Sequence, residues 1–338
     1  MKKSVFLGVV GAAGLVAASA GASTLEDIKA RGELNCGVNT GLVGFAAPDA
    51  NNNWQGFDIE LCRAVAAATL GNPDAVTYVP LTGKTRFTAL AAGEIDMLSR
   101  NTTWTFSRDV DLKFEFVGIN YYDGQGFMVP RELGVTSALD LDGATVCIQT
   151  GTTTELNLAD FFRSNNISYE PVPIETNAEA QQQYLAGACD VYTTDASGLA
   201  ATRAAFENPG AHVVLPELVS KAPLGPLVRH GDNDWGDIVR WTLNALISAE
   251  ELGVTSANVA ELAIGTEHPE INRLLGTEGG LGAMLGLEPD WAKNALAATG
   301  NYGEIFERHI GENTPIGLAR GLNAQWTDGG LLYSPPFR

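Results

Sequence analysis

Three short stretches of this chain carry residues suited to gripping a small charged molecule. The first runs from Gly93 to Asp109, GEIDMLSRNTTWTFSRD. Asn101, Thr102, Thr103 and Thr105 offer amides and hydroxyls, and Arg108 offers a planar guanidinium that can hold a carboxylate through two parallel hydrogen bonds. The second is Gly151 to Glu155, GTTTE, a loop entering a helix. Free amides near Thr153 and the dipole of that helix would attract an anion, with the Thr153 hydroxyl added. The third is Asp195, which ends the strand-like run Val191-Tyr192-Thr193 and would pair with an ammonium. Arginine, helix N-terminus and aspartate together suit an α-amino acid. Each stretch also has a plain structural reading. Gly93–Asp109 could be a polar surface loop, and Thr152 with Glu155 spells a capping box, which serves a helix without any ligand.

The surrounding pattern says what must position these residues. Leu34–Val38 reads as a strand, Gly56-Phe57-Asp58 opens a helix with Asp58 as its N-cap, and Val76–Val79 is a second strand. Thr85–Ala92 is a helix stopped by Gly93, and Met97-Leu98 is a third strand that empties into the polar loop. After the apolar strand Phe127-Met128-Val129 the pattern restarts. Ala144–Ile148, Tyr169 and Val191–Thr193 mark strands, with helices over Leu156–Arg163 and Ala178–Ala186 between them. Strand–helix–strand–helix–strand, twice, signals two α/β lobes with polar residues at the carboxyl ends of their strands, and one site in the cleft between them. A strongly helical segment covers Trp235–Ala249, and the Gly-rich tail from Pro315 to Arg338 is expected to wrap the first lobe.

Composition sets the compartment. Met1-Lys2-Lys3, an apolar run to about Ala18 and the small residues Ala20-Gly21-Ala22 read as a secretory signal cleaved near Ala22, too short in its apolar core to span a membrane. Cleavage removes two lysines and no acid, taking the net charge from −19 to −21. Such acidity argues against nucleic acid and anionic lipid as partners. The rest is long enough for two domains. The expected division is 1–22 signal, 23–129 with 230–338 as a discontinuous lobe 1, and 130–229 as lobe 2, with hinge crossings near Met128–Glu132 and Pro226–Gly231. Cys36, Cys62, Cys147 and Cys189 lack metal-ligand spacing, so structural disulfides fit an oxidising compartment. Four cysteines allow three connectivities, and spacing does not choose among them. If Cys36 and Cys62 share one lobe and Cys147 and Cys189 the other, the pairs are 36–62 and 147–189, since cross-lobe pairs would lock two bodies that need to move.

The ordered series GFDIELCRAVA, ALAAGEID, TTWTFSR, GTTTE and DVYTTD resembles the periplasmic amino-acid-binding proteins of ABC importers, solute-binding protein family 3. The resemblance runs from about Leu34 to Leu252 and is strongest to members for general or acidic and amide L-amino acids. It implies a two-lobed type II (Venus-flytrap) α/β fold, each lobe a mainly parallel sheet flanked by helices, with two hinge crossings. It implies that Arg108 grips the ligand α-carboxylate and that Thr103 contacts the α-amino or carboxylate group. Asn101 would offer its backbone carbonyl to the ammonium, Thr153 would contact the carboxylate from lobe 2, Asp195 would pair with the ammonium, and Phe45 would pack its ring on the ligand. Arg100 stands where many members have a small residue. With Arg86 it is the cationic candidate for reading a side-chain carboxylate or amide, surface salt bridges being the alternative for both.

The implied function is capture of L-amino acids (Glu, Gln, Asp, Asn or a broad range) and delivery to ABC permease subunits driven by a separate ATPase. The protein would be periplasmic and monomeric, without cofactor or metal. The rival is a periplasmic enzyme on the same scaffold, arogenate/prephenate dehydratase-like, which needs a general acid or base in the cleft. Glu155 is committed to its cap, His212, His230, His268 and His309 lie outside the motifs, and no G-x-S-x-G, H-E-x-x-H or P-loop occurs. A sensory module would need a partner to supply its output.

Overall fold

A computed structural model describes residues 23–338; the expected signal, 1–22, lies outside the described residues. The chain forms two lobes, each built on a five-stranded sheet. In the first, the buried strand Leu34–Asn39 runs parallel to Val76–Leu81 on one side and to Met97–Leu98 on the other. Leu227–Arg229 and Phe114–Phe116 extend the sheet antiparallel. In the second, Ala144–Gln149 lies parallel to Tyr169–Ile174 and Val191–Asp195, and Gln125–Pro130 and His212–Val214 extend it antiparallel. The β-α-β-α-β half of each lobe is therefore parallel, and the antiparallel pairings come from strands outside it, which follow it in the first lobe and flank it in the second.

Sheet membership moves the expected boundaries. Gln125–Pro130 lies wholly in the second sheet and Leu227–Arg229 in the first, so the breaks at 129/130 and 229/230 fall a few residues late. The chain crosses through Tyr121–Asp123 and Ala222–Leu224, which pair antiparallel as a two-stranded ribbon. The reason is tertiary: Phe127-Met128-Val129 declares an apolar strand, but which sheet it joins depends on the partner that buries it. In this sheet alternate residues face opposite sides. Phe127, Val129, Val146 and Ile148 pack on one face with Leu158 and Phe162. Met128, Cys147 and Tyr192 pack on the other with Ile174 and Leu199.

The helix Phe57–Leu70 is buried nearly all round because it lies between the first sheet and the helices Asn233–Glu251 and Trp291–Thr299. Its N-cap is Gly56, not Asp58. Gly56 has φ 132° and a Cβ there would stand 2.3 Å from the Phe45 carbonyl oxygen, so the chain must enter on a glycine. Asp58 thereby lands one position inside the helix, 2 % exposed. The disulfides are Cys36–Cys62 and Cys147–Cys189, one in each lobe.

Beyond Glu251 the chain stays in lobe 1 through short helices, and the tail reaches the crossing ribbon. The Asn323 side chain accepts from the Tyr122 amide at 2.7 Å and donates to the Tyr122 carbonyl at 3.1 Å, as a neighbouring strand would. Tyr302 Oη donates to the Asn120 carbonyl at 2.8 Å. Arg320 grips both carboxylate oxygens of Glu250 (2.7 and 3.0 Å) and stacks over Tyr302 and Phe306.

Candidate functional site

The carboxyl ends of the parallel strands of both sheets meet at the cleft, the position at which open α/β sheets receive ligands. From lobe 1, Leu34–Asn39 delivers Asn39 and Met97–Leu98 leads into Ser99–Thr103. From lobe 2, Ala144–Gln149 leads into Thr152 and Thr153, and Val191–Asp195 ends on Asp195. The lobes touch here. Asn39 Nδ2 donates to Asn101 Oδ1 at 2.9 Å, and Asn177 Nδ2 crosses from lobe 2 to Asn39 Oδ1 at 3.0 Å. Asn101 Nδ2 reaches Asp195 Oδ2 at 3.4 Å, and the Thr103 and Thr153 hydroxyls share a hydrogen bond at 3.2 Å. Lys84 and Glu175 close the rim with an ion pair at 2.8 Å.

Three guanidinium groups are buried at this junction. Arg86, Arg100 and Arg108 are 2, 3 and 6 % exposed. Arg108 Nη1 donates to the Thr103 carbonyl at 2.8 Å, Arg86 Nη1 to Thr102 Oγ1 at 3.0 Å, and Arg100 Nε to the Leu81 carbonyl at 3.2 Å. Arg86 and Arg108 both lie over the Phe87 ring, at 4.8 and 5.1 Å. Among the described residues none of the three has a carboxylate within salt-bridge distance, so the surface-salt-bridge alternative for Arg86 and Arg100 is wrong. Arg86 Nε and Arg100 Nη2 are buried and unpartnered.

Electrostatics follows from that crowding. Burial lowers the pKa of Arg86 well below its ordinary value, and the like charges of Arg100 and Arg108 lower it further, with Asp195 opposing. Burial likewise brings Arg100 and Arg108 down to about 10. Asp195 is raised by burial, against the pull of Asn101 and the three arginines. Asp195 and Asp58 are the acids that act on these three buried cations, and Asp58, raised by burial to about 7, is only partly ionised at neutral pH. The junction is therefore short of negative charge, and an uncompensated buried charge is costly. An incoming molecule with carboxylates supplies what is missing.

The structure brings Arg108, Thr103, Asn101, Arg86 and Arg100 from lobe 1 together with Thr153 and Asp195 from lobe 2. Phe45 is 1 % exposed, and its ring meets Phe57 and Tyr121 edge-on, at 6.0 and 5.9 Å; these are core contacts. Trp104 supports the loop: it stacks on Phe116 and its indole N–H donates to Asp109 at 2.7 Å. Thr152 caps the helix Thr153–Ser164, but the Glu155 carboxylate accepts from the Gly151 amide at 3.1 Å and not from Thr152, so the capping box is only half formed.

Several residues here escaped sequence reasoning. Asn39 was findable, since it ends the first strand as Asp195 ends the last one. Asn177, the first residue of the helix Asn177–Leu185, has no such signal. Asp123 of the crossing ribbon is half-buried beside Asp195, bonded to Ser197 and the Gly124 amide, and its pKa is raised by desolvation and by Asp195 to about 7. Gln125 Nε2 ties Thr154 to Thr193 at 3.1 and 3.0 Å.

Comparison with known proteins agrees with this architecture. The glutamate/glutamine/aspartate/asparagine-binding protein of Rhodobacter capsulatus is 65% identical over 100% of both chains. The general L-amino acid-binding periplasmic protein of Rhizobium johnstonii is 56% identical, again over 100% of both. An ABC-transporter periplasmic binding protein from Brucella ovis, solved with glutathione bound, superposes with a TM-score of 0.91 at 55% identity, covering 94% of this chain and 100% of that one. The profile of one family matches residues 34–257, and with these relatives it establishes that the chain belongs to the bacterial extracellular solute-binding proteins, family 3.

Proposed function

We propose that this protein captures L-amino acids, the acidic ones and their amides foremost, between its two lobes and hands them to an ABC permease. The observation that carries the reading is the cluster of Arg86, Arg100 and Arg108 buried at the lobe junction with Asp195 as the nearby anion. Arg108 takes the α-carboxylate in bidentate fashion while its Nη1 stays on the Thr103 carbonyl. Thr103 and Thr153 add hydroxyls from the two lobes, and Asp195 takes the ammonium beside Asn101. Arg86 and Arg100, each with a free N–H, read the second carboxylate or amide. The ligand contacts both lobes and so favours the closed hinge by its differential affinity for that state. The closed form is what the permease recognises, with the energy of transport supplied by a separate ATPase. Two close relatives are named for acidic and amide amino acids or for L-amino acids generally, which supports the ligand class. Export with cleavage near Ala22 and a monomeric state complete the reading.

Calorimetric titration with glutamate, glutamine, aspartate and asparagine tests it. Glutathione belongs in the panel, because its γ-glutamyl end presents the same ammonium–carboxylate pair and it occupies the Brucella ovis relative. Binding no tighter than about millimolar, ~4 kcal/mol, by every compound would sink the proposal. If Arg86→Ala and Arg100→Ala both leave the ranking of acidic over neutral ligands unchanged, the side-chain roles of these arginines are wrong.

A further inference from the structure

We propose that Gly83 is the landing point of lobe 2 on lobe 1, a positioning residue whose missing side chain lets the cleft close. The inference rests on the reading above, in which a ligand bridges and closes the lobes. Gly83 lies in the turn between Val76–Leu81 and Arg86–Ala92. A Cβ on it would stand 2.7 Å from the Thr150 carbonyl oxygen and 3.0 Å from the Thr152 methyl, both in lobe 2. In return, a Cβ on Gly151 would meet Lys84 Cγ at 3.0 Å and the Gly83 carbonyl carbon at 3.2 Å. The two backbones are in direct contact.

That contact has little slack on the lobe 2 side. The Thr150 amide and hydroxyl both bond the Ile174 carbonyl, at 3.0 and 3.2 Å, and Thr152 Oγ1 bonds the Gln149 carbonyl at 2.7 Å. Neither obstacle swings aside as the end of a long side chain would. Lys84 and Glu175 pair across the same seam. Gly83 is not among the glycines with positive φ, so an L-residue fits there when the lobes stand apart. The demand for glycine comes from closure alone. Three residues along the chain stands Arg86, and next to Thr152 stands Thr153, so a lobe held off at this seam is held off from the candidate ligand as well.

The test uses Gly83→Ala and Gly83→Val in the full exported chain, with L-glutamate as the probe. Overpacking a tight seam is expected to weaken binding about tenfold for alanine and roughly a hundredfold for valine. The loss should appear as faster dissociation with association unchanged, because the ligand still reaches the open lobe. Small-angle scattering at saturating glutamate should show the wild type contracting and Gly83→Val keeping its ligand-free radius of gyration, while the ligand-free melting temperatures of all three agree. A wild type that binds and contracts, with variants that do the same at equal affinity, overturns the inference and leaves the function standing. A ligand-free melting temperature that falls in step with affinity in both variants also overturns it, since Gly83 would then serve the fold and not closure. A wild type that binds no member of the panel removes the function itself.

Discussion

Replacing Arg86 with methionine should separate stability from function. The groups around Arg86 (Thr102, Phe87, Arg100 and Arg108) all belong to lobe 1 and stay with it when the lobes stand apart, so in the ligand-free protein it remains a cation beside two others. It has one side-chain hydrogen bond, to Thr102, a stacked ring, and an unpartnered Nε. The bond to Thr102 contributes about 1.5–3 kcal/mol and the stacking about 0.5–2 kcal/mol. Against these stands an effective burial penalty of several kcal/mol for an unpaired ion, increased by Arg100 and Arg108. Methionine removes both sides and leaves a flexible apolar chain of similar length on Phe87. The balance is a ligand-free gain of roughly 1 kcal/mol, ~2–4 °C in melting temperature. In the bound state the same change deletes a charged partner of the ligand side chain. Losing one hydrogen bond to a charged group weakens glutamate by roughly 10–150-fold. Glutamine, a neutral acceptor with about half the bond strength, should fall by roughly 3–12-fold. Differential scanning calorimetry without ligand, paired with calorimetric titration, reads both quantities. A ligand-free melting temperature that drops by several degrees, or an unchanged ratio of glutamate to glutamine affinity, refutes the argument.

Other outcomes follow from the same geometry. Asp195→Asn should weaken every amino acid alike, by about a hundredfold or more, in the same titrations; a loss confined to acidic ligands would misplace the ammonium. Because the Asp195 pKa is raised above the ordinary carboxylate value and binding needs the ionised form, affinity should begin to fall on acidification while still above that value, measured by titration between pH 4 and 8. Burial raises Asp58 to about 7. Its stabilising contribution is therefore full below the unfolded carboxylate pKa and is lost as pH rises through about 7, so Asp58→Asn should gain melting temperature relative to wild type at pH 8 and not at pH 4. Replacing Cys147 and Cys189 by serine opens a 42-residue separation and should cost about 4 kcal/mol by the chain-entropy relation, read by urea unfolding.

Much of this was legible in the chain because period and punctuation agree. Gly32, Gly71 and Gly93 end helices in the left-handed conformation that glycine adopts readily, and the restart at Ala144 declares a second lobe. What was illegible depends on long-range partners. Gln125 and Gly126 stand ahead of the apolar run Phe127-Met128-Val129 yet belong to its strand, because Val191–Asp195 pairs with them. Asp58 reads as a cap and becomes a buried acid, because Phe45 crowds the chain at Gly56. The burial of Arg86 had a faint signal. It occupies the first turn of the helix Arg86–Ala92, the end at which a cation is electrostatically disfavoured, so its purpose had to lie off the helix. Asn177 had no signal, since a helix-starting asparagine is ordinary until the other lobe is seen facing it.

The tail clamped on the crossing ribbon has an engineering consequence. Phe337 is buried with its ring 5.0 Å from Trp241 and 6.4 Å from Trp291, and Arg273 Nε holds its carbonyl at 2.7 Å. A fluorescent reporter fused after Arg338 would thus be anchored to lobe 1 one residue beyond a fixed ring, with no floppy leash to blur its position. A second reporter at the exposed turn around Asn166 would ride on lobe 2. Energy transfer between the two would then report the hinge angle, and trimming even the last two residues would loosen the anchor that makes the reading sharp.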